Sequence, residues 1–318
     1  MLKKIPLGII FVLILSSFLF LPFRSKAQGV SERGQGLTIS PPIAEFNEQL
    51  GKVSTYVISI SNPTKKIVEF YPVVMNFRAK NETGEPSFYP ATEEEKAFSL
   101  AHWIKFSNDK VVLPPDQTIN WSYTIEVPQN AEPGGHYGVI FFATNPPNKN
   151  ENVSQINIAS MIGSLILVKT PGDVREEGKV TEFLAQRFYL KPPVNFTTRI
   201  TNSGNVHFKP LGKIIVKNLW GKQVEEIVFN PGEGNVLPES TRKFTEEKWA
   251  PQISGFWTIP IGRFTADLNL TYGDSKKPLN SQFIFWVIPL WLIILLAIIL
   301  AIIIIWVIVK LVKRKNEK

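Results

Sequence analysis

Few side chains in this sequence could do chemistry, and their spacing limits what they could do. His102, His136 and His207 fall at unrelated separations with no H-E-x-x-H or H-x-H pair, so no zinc site is expected. Cysteine is absent, which removes thiolate metal sites, a thiol nucleophile and disulfides. The stretch "EPGGHYGVIFFAT" (132–144) sets two glycines beside His136. A phosphate cradle needs such glycines between a strand and a helix, so that backbone N–H groups point from the helix start. Here "VIFFAT" follows, which is a strand pattern. Pro133, Gly134, Gly135, Tyr137 and Gly138 therefore read as a turn and strand motif, at a spot where another backbone or a bulge sits close. His136 is expected at the edge of that strand.

Two further groups need weighing. Asp109, Asp116, Glu126, Asp267 and Asp274 could supply the carboxyl pair of a wall glycosidase, set ~5 to 9.5 Å apart. Most of them adjoin turn signals, where acids serve the backbone, so an enzyme is not expected. The run Glu93–Glu95 fits the first turn of a short helix over "TEEEKAFSLAHWI", with Thr92 as its cap. The aromatics Trp220, Phe244, Trp249, Phe256, Trp257 and Phe264 could stack on sugar rings, which makes Trp220, Trp249 and Trp257 candidate ligand-binding residues. Core packing and contact with a nearby bilayer surface are the alternatives. No motif calls for a cofactor.

The elements that must position these residues begin with two apolar runs. "MLKKIPLGIIFVLILSSFLFLPFRSKAQG" has the layout of a secretory signal peptide, residues 1–27, with cleavage expected after Ala27. The length of its apolar run leaves an uncleaved anchor as the alternative. Residues 283–309 carry no charge and are long enough to cross a bilayer core of ~30 Å. Trp286, Trp291 and Trp306 would sit at the interfaces of that transmembrane helix. The tail 310–318, with Lys310, Lys313, Arg314 and Lys315, is basic and so expected in the cytoplasm. This topology gives a single-pass plasma-membrane protein with its other domains outside.

The formal charge of +8 then changes its meaning. The signal segment and the tail account for all of it, and residues 28–309 are left neutral. Basicity belongs to targeting and topology, and no nucleic-acid partner is expected. Between the two runs the pattern is β. "STYVISIS" and "NWSYTIEV" alternate, the second with Trp121, Tyr123, Ile125 and Val127 on one face. "KTPGDVREEGKV" (169–180) reads as a boundary. The halves echo one another: "VISISNPTKKIVEFYPVV" matches "TTRITNSGNVHFKPLGKIIV", and "VVLPPDQ" matches "NVLPEST", which aligns Leu113 with Leu237. The fold class expected is all-β: two tandem immunoglobulin-like β-sandwich domains, 37–172 and 178–273, followed by one transmembrane helix.

Three segments in order carry a family resemblance. They are "LTISPPIAEFNEQLGKVSTYVISISNPTKKIVEFYPVV", "WIKFSNDKVVLPPDQTINWSYTIEVPQNAEPGGHYGVIFFAT" and "INIASMIGSLILVKTPGDV". Their P-x-x-x-x-G-x-I-x-F element and later I-G strand resemble the N-terminal domain of the WxL-interacting surface proteins of Gram-positive bacteria. The resemblance covers residues 37–172 and departs from the family in the insertion Phe77–His102. It implies a peptidoglycan-binding first domain of immunoglobulin-like type and a second, partner-binding sandwich. The expected function is therefore a membrane-anchored cell-surface protein that binds peptidoglycan, a surface partner protein, or both. A structural or assembly role by strand-edge pairing is the alternative.

Overall fold

The strands of the first sandwich follow the period-two pattern closely. In chain order they are β1 (Thr38–Ser40), β2 (Ile43–Asn47), β3 (Val53–Ser61), β4 (Val68–Ala79), β5 (Pro86–Tyr89), β6 (Ile104–Lys105), β7 (Val111–Leu113), β8 (Thr118–Glu126), β9 (Gly134–Ala143) and β10 (Ile162–Thr170). This is a computed structural model, and it describes residues 36–92, 97–144, 161–255 and 258–316. The expected signal peptide (1–27), Glu93–Glu95, Phe256 and Trp257 lie outside these residues.

One sheet has the order β1-β3-β8-β6, the other β2-β10-β9-β4-β5, with β7 also on β4. Strands β3 and β8 pair antiparallel from Val53↔Glu126 to Ser61↔Thr118. Ile58, Ile60, Trp121, Tyr123 and Ile125 all point inward and are buried. The chain changes sheets at Pro41–Pro42, where missing N–H groups end β1, and β2 then runs parallel to β10. Strand β9 lacks alternation because both its faces are covered. Ile140 and Phe142 join the main core, while Val139 and Phe141 pack with Met75, Phe77 and Leu167 on the outer face, against Leu237 of the second sandwich.

The second sandwich comprises β11 (Gly178–Leu184), β12 (Phe188–Tyr189), β13 (Val194–Asn195), β14 (Thr197–Asn202), β15 (Leu211–Asn218), β16 (Gln223–Phe229), β17 (Ser240–Phe244), β18 (Lys248–Trp249), β19 (Gly262–Tyr272) and β20 (Lys277–Val287). Its sheets are β11-β14-β17 and β12-β20-β19-β15-β16, with the pair β13-β18 beside them. The chain therefore has two tandem immunoglobulin-like β-sandwiches and a C-terminal helix, Leu290–Asn316.

Three expectations need correction. The uncharged run from residue 283 is not all helix. Phe283–Val287 ends β20, paired residue by residue with β19, and Phe285 and Val287 are fully buried in the second core. Trp286 is thus a strand residue, the second sandwich extends past 273, and the segment apolar and long enough to span is Leu290–Val312. A β-strand with two apolar faces and a membrane helix read alike by charge; Pro289 marks where one becomes the other. Of the helix expected over residues 92–104, the described residues show one turn, Leu100–Trp103, with Ser99 at its N-cap position. Residues before that turn carry no described helix.

The echo between the halves has a physical basis in two buried asparagines. Asn62 Nδ2 donates to the carbonyls of Lys66 at 2.8 Å and Leu113 at 3.0 Å. Asn202 Nδ2 donates to Val206 at 2.8 Å and Val236 at 2.9 Å. Each Oδ1 accepts the N–H two residues on, from Thr64 and Gly204. The same side chain thus caps the same turn and ties it to the same later strand. The counterpart of Leu113 is Val236, so the aligned Leu237 is one residue out. Replacing Asn62 or Asn202 by Ala removes the side-chain bonds that hold the turn and tie it to the later strand, and is expected to destabilise its sandwich by about 1–3 kcal/mol. Urea unfolding of each variant measures this; an unchanged midpoint would contradict it.

Candidate functional site

The two sandwiches meet along a seam whose tightest contact is main chain against main chain. The turn after β14 presents Asn205, whose carbonyl accepts the N–H of Gly135 at 2.8 Å. Asn205 Nδ2 donates to the carbonyls of Pro133 (3.2 Å) and Asp173 (2.9 Å), and its Oδ1 accepts from Arg175 N at 2.7 Å. One residue thereby fastens the first sandwich, the connecting segment and the second sandwich. Glycine is required around it. A Cβ at Gly134, whose φ is +121°, would come within 2.6 Å of the Asn205 carbonyl oxygen, and one at Gly204 within 2.0 Å of that of Arg175.

Beside this contact, Tyr137 of β9 reaches across to His207. The His207 N–H donates to the Tyr137 hydroxyl oxygen at 3.0 Å, and that hydroxyl lies 3.1 Å from His207 Nδ1. Both groups are buried, which pushes the Tyr137 hydroxyl pKa up and the His207 pKa down to about 4. Glu45 of β2 continues the line, accepting from Asn235 at 2.7 Å and pairing with Lys209 at 3.1 Å. Farther along, Glu82 from the β4–β5 turn pairs with Arg199 at 2.6 Å and accepts Lys243 N–H on its carbonyl at 2.7 Å.

Between these fastenings the surfaces do not close. Cavities of about 320, 540 and 490 Å³ follow one another along the seam. Phe77 lines the first and second; Gly232, Gly234 and Arg242 line the second and third. The middle cavity has an apolar wall of Ile43, Leu165, Leu167 and Leu237.

Arg242 stands at the junction of the larger two. Its Nη1 donates to the Asn235 carbonyl at 2.8 Å, and its guanidinium carbon lies 5.2 Å from the Phe244 ring centre. A Cβ on Gly84 of the first sandwich or Gly234 of the second would come within 2.5 Å of that carbon. Burial pushes its pKa down, opposed by the charge of Glu246. Among the described residues it makes no ion pair with an acid. Most of its five N–H donors are thus free in a partly desolvated position, which suits a planar carboxylate. Glu247, only 3 % exposed, lines the third cavity with Oε2 lacking a hydrogen-bond partner, and burial pushes its pKa up.

The residues singled out in the sequence fall elsewhere. Trp249 is a core residue, 2 % exposed, with its ring tilted against Phe264 at 4.8 Å and Phe285 at 5.7 Å, so it offers no face to a ligand. Trp220, 85 % exposed, stands on the turn after β15 and does not join it. Trp257 lies outside the described residues. His136 is interior and not at an edge, because β9 lies between β10 and β4. Its ring nitrogens each lie 2.9 Å from a main-chain carbonyl oxygen, of Phe98 and Glu132. Asp116, Asp267 and Asp274 each pair with a lysine, and none of the five candidate acids lines the three cavities. Among the described residues no group of three His, Asp or Glu could hold a metal. Gly134, Gly135 and Tyr137 do come together, at the seam, where the close backbone is that of Asn205. In the helix, Trp291 lies in the first turn, Lys310 Nζ sits 4.9 Å over the Trp306 ring, and Lys313, Arg314 and Lys315 fall in the last turns.

Sequence reading missed Asn205, His207 and Arg242. One signal was present: Gly204 and Asn205 replace Thr64 and Lys65 of the first copy, and Lys65 is solvent-facing. Arg242 has no such marker.

No family model matches the sequence, and no curated protein matches it. Solved structures of similar shape include the class 5 fimbriae chaperone CfaA, at 15% identity and TM-score 0.37, covering 80% of this chain and 100% of that one. The E. coli chaperone DraB follows at 11% identity and TM-score 0.35, covering 79% and 96%. The Pseudomonas aeruginosa CupB2 chaperone stands at 10% and 0.33, covering 79% and 100%. Likeness at this level carries nothing about what the chain binds.

The seam should respond to pH through His207. Its pKa is about 4 when folded against 6.5 when exposed, so between those values the unfolded chain holds a proton that the folded chain refuses. Stability is full above about pH 6.5 and falls toward pH 4, by up to about 3 kcal/mol. His136, also lowered by burial, adds slope of the same sign. The test is therefore a difference: His207→Gln should flatten the loss of stability between pH 6.5 and 4, and an unchanged slope would contradict the assignment.

Proposed function

We propose that this chain is a membrane-held cell-surface binding protein whose ligand carboxylate docks on Arg242 in the seam. The observation that carries this is a half-buried guanidinium with unused donors at the meeting point of two cavities. The ligand class that fits best is peptidoglycan, whose stem peptides present carboxylates; the resemblance of residues 37–172 to the WxL-interacting surface proteins supports it. The apolar wall beside Arg242 would take the aliphatic part of the peptide. Helix Leu290–Val312 would hold the protein in the plasma membrane, with the sandwiches outside and the basic tail in the cytoplasm. The residues around Arg242 would bind and orient, and the reading is one of recognition.

Co-sedimentation of the nanodisc-held chain with purified peptidoglycan tests this. Arg242→Gln removes charge-assisted bonds of about 1.5–3 kcal/mol, roughly a tenfold to hundredfold loss of affinity. Equal pelleting of wild type and variant, or no pelleting of either, would sink the proposal.

A second reading has its own observation. Edge strand β16 leaves Val224 and Val228 exposed beside an apolar depression of about 380 Å³ lined by Leu211, Leu270 and Pro278. A partner strand could add there, although Glu225 and Glu226 blunt the edge.

A further inference from the structure

The end of the second sandwich opposite the seam carries an apolar row that no other described residue covers. Register places it. Asn218 at the end of β15 pairs with Phe264, and Phe264 with Phe285, so the turn Leu219–Lys222 stands level with Trp286. Phe188 of β12 pairs with Trp286 on the other side. Across these five strands, at ~4.8 Å each, the row is roughly 20 Å wide. Trp220 is 85 % exposed, Phe188 65 %, Leu219 57 % and Leu190 53 %. The middle of the same sheet's outer face is polar by contrast, with Lys213 paired to Glu226 and Lys217 to Asp267.

The helix begins at this end. Val287 is fully buried, Ile288 N–H donates to the Tyr189 carbonyl at 2.8 Å, and only Ile288 and Pro289 separate β20 from Leu290. Two residues reach at most about 7 Å, so a helix crossing a bilayer holds the row against its surface. Charge fits as well. Arg187, Lys191, Lys222 and Arg263 are interspersed among the apolar residues, and segments 186–191, 219–223 and 261–263 contain no acid. Aromatic and aliphatic side chains interleaved with cations are the composition that settles into a headgroup layer of anionic lipid.

We propose that Trp220, Leu219, Phe188 and Trp286 form a lipid-contact surface that seats the second sandwich on the bilayer leaflet from which the helix emerges. Trp220 is then a membrane-surface residue in place of a sugar platform. The row fixes the tilt of the sandwiches, and with it the direction in which the seam cavities open. This rests on the reading of Leu290–Val312 as a span.

The absence of cysteine makes the test direct. Single variants Leu219→Cys, Phe188→Cys, Ser275→Cys and Ile299→Cys of the full chain are labelled with a polarity-sensitive dye. Each is reconstituted in vesicles of mixed neutral and anionic lipid carrying headgroup- or chain-level quenchers. Ser275 lies in the β19–β20 turn at the far end of the sheet. The proposal expects labels at 219 and 188 to be quenched several-fold more than the label at 275, with the headgroup quencher most effective. Quenching at 299 with none at 219 and 188 would overturn the lipid-contact surface while leaving the span intact. Absence of quenching at 299 would overturn the span and the proposal together.

Discussion

The structure hinges on how closely two backbones approach at Asn205. Its carbonyl takes the Gly135 N–H, its side chain takes three further main-chain partners, and no Cβ fits at Gly134 or Gly204. A side-chain contact between two sandwiches tolerates sliding, because rotamers adjust. A main-chain contact framed by glycines does not, because its hydrogen bonds and its steric limits coincide. The Tyr137–His207 hydrogen bond adds a second fastening beside it, with His207 buried. Glu82 supplies the fastening at the other end. Cavities between two such points persist because the walls cannot collapse onto each other.

The second sandwich is therefore committed at both ends. At the seam it meets β2, β9 and the connecting segment. At the other end β20 runs almost directly into the helix. Its middle is an ordinary aromatic core, in which Phe285 stacks on Phe264, meets Phe196 edge-on and lies tilted against Trp249. Neutral net charge over residues 28–309 agrees with short-range recognition through placed groups such as Arg242, and not through a long-range field.

Much of this was legible in the sequence, for identifiable reasons. Strands such as β8 bury alternate residues, so the pattern names the face directly. The asparagines at 62 and 202 repeat because each caps the same turn, and the echo was visible before its cause. The glycines at 134 and 135 signalled a close approach but could not say to what, since Asn205 lies some 70 residues away. Failures came where one signal serves two structures. Phe283–Val287 is apolar because it lies in a core, and the helix after it is apolar along its exposed length; charge alone did not separate them. Trp249 was read as a potential platform because burial of an aromatic depends on partners such as Phe264 that only folding brings near. Arg242 was invisible for the opposite reason: its significance lies in the acid it lacks.

The most direct test of a rigid seam is the relative alignment of the two sandwiches in solution, from residual dipolar couplings of their backbone amides. A rigid seam predicts one alignment tensor that fits both sandwiches in the orientation described, and a shared order parameter. Two different tensors, or a clearly reduced order parameter for one sandwich, would show that the Asn205 contact does not hold and that the cavities between the sandwiches are not a lasting site.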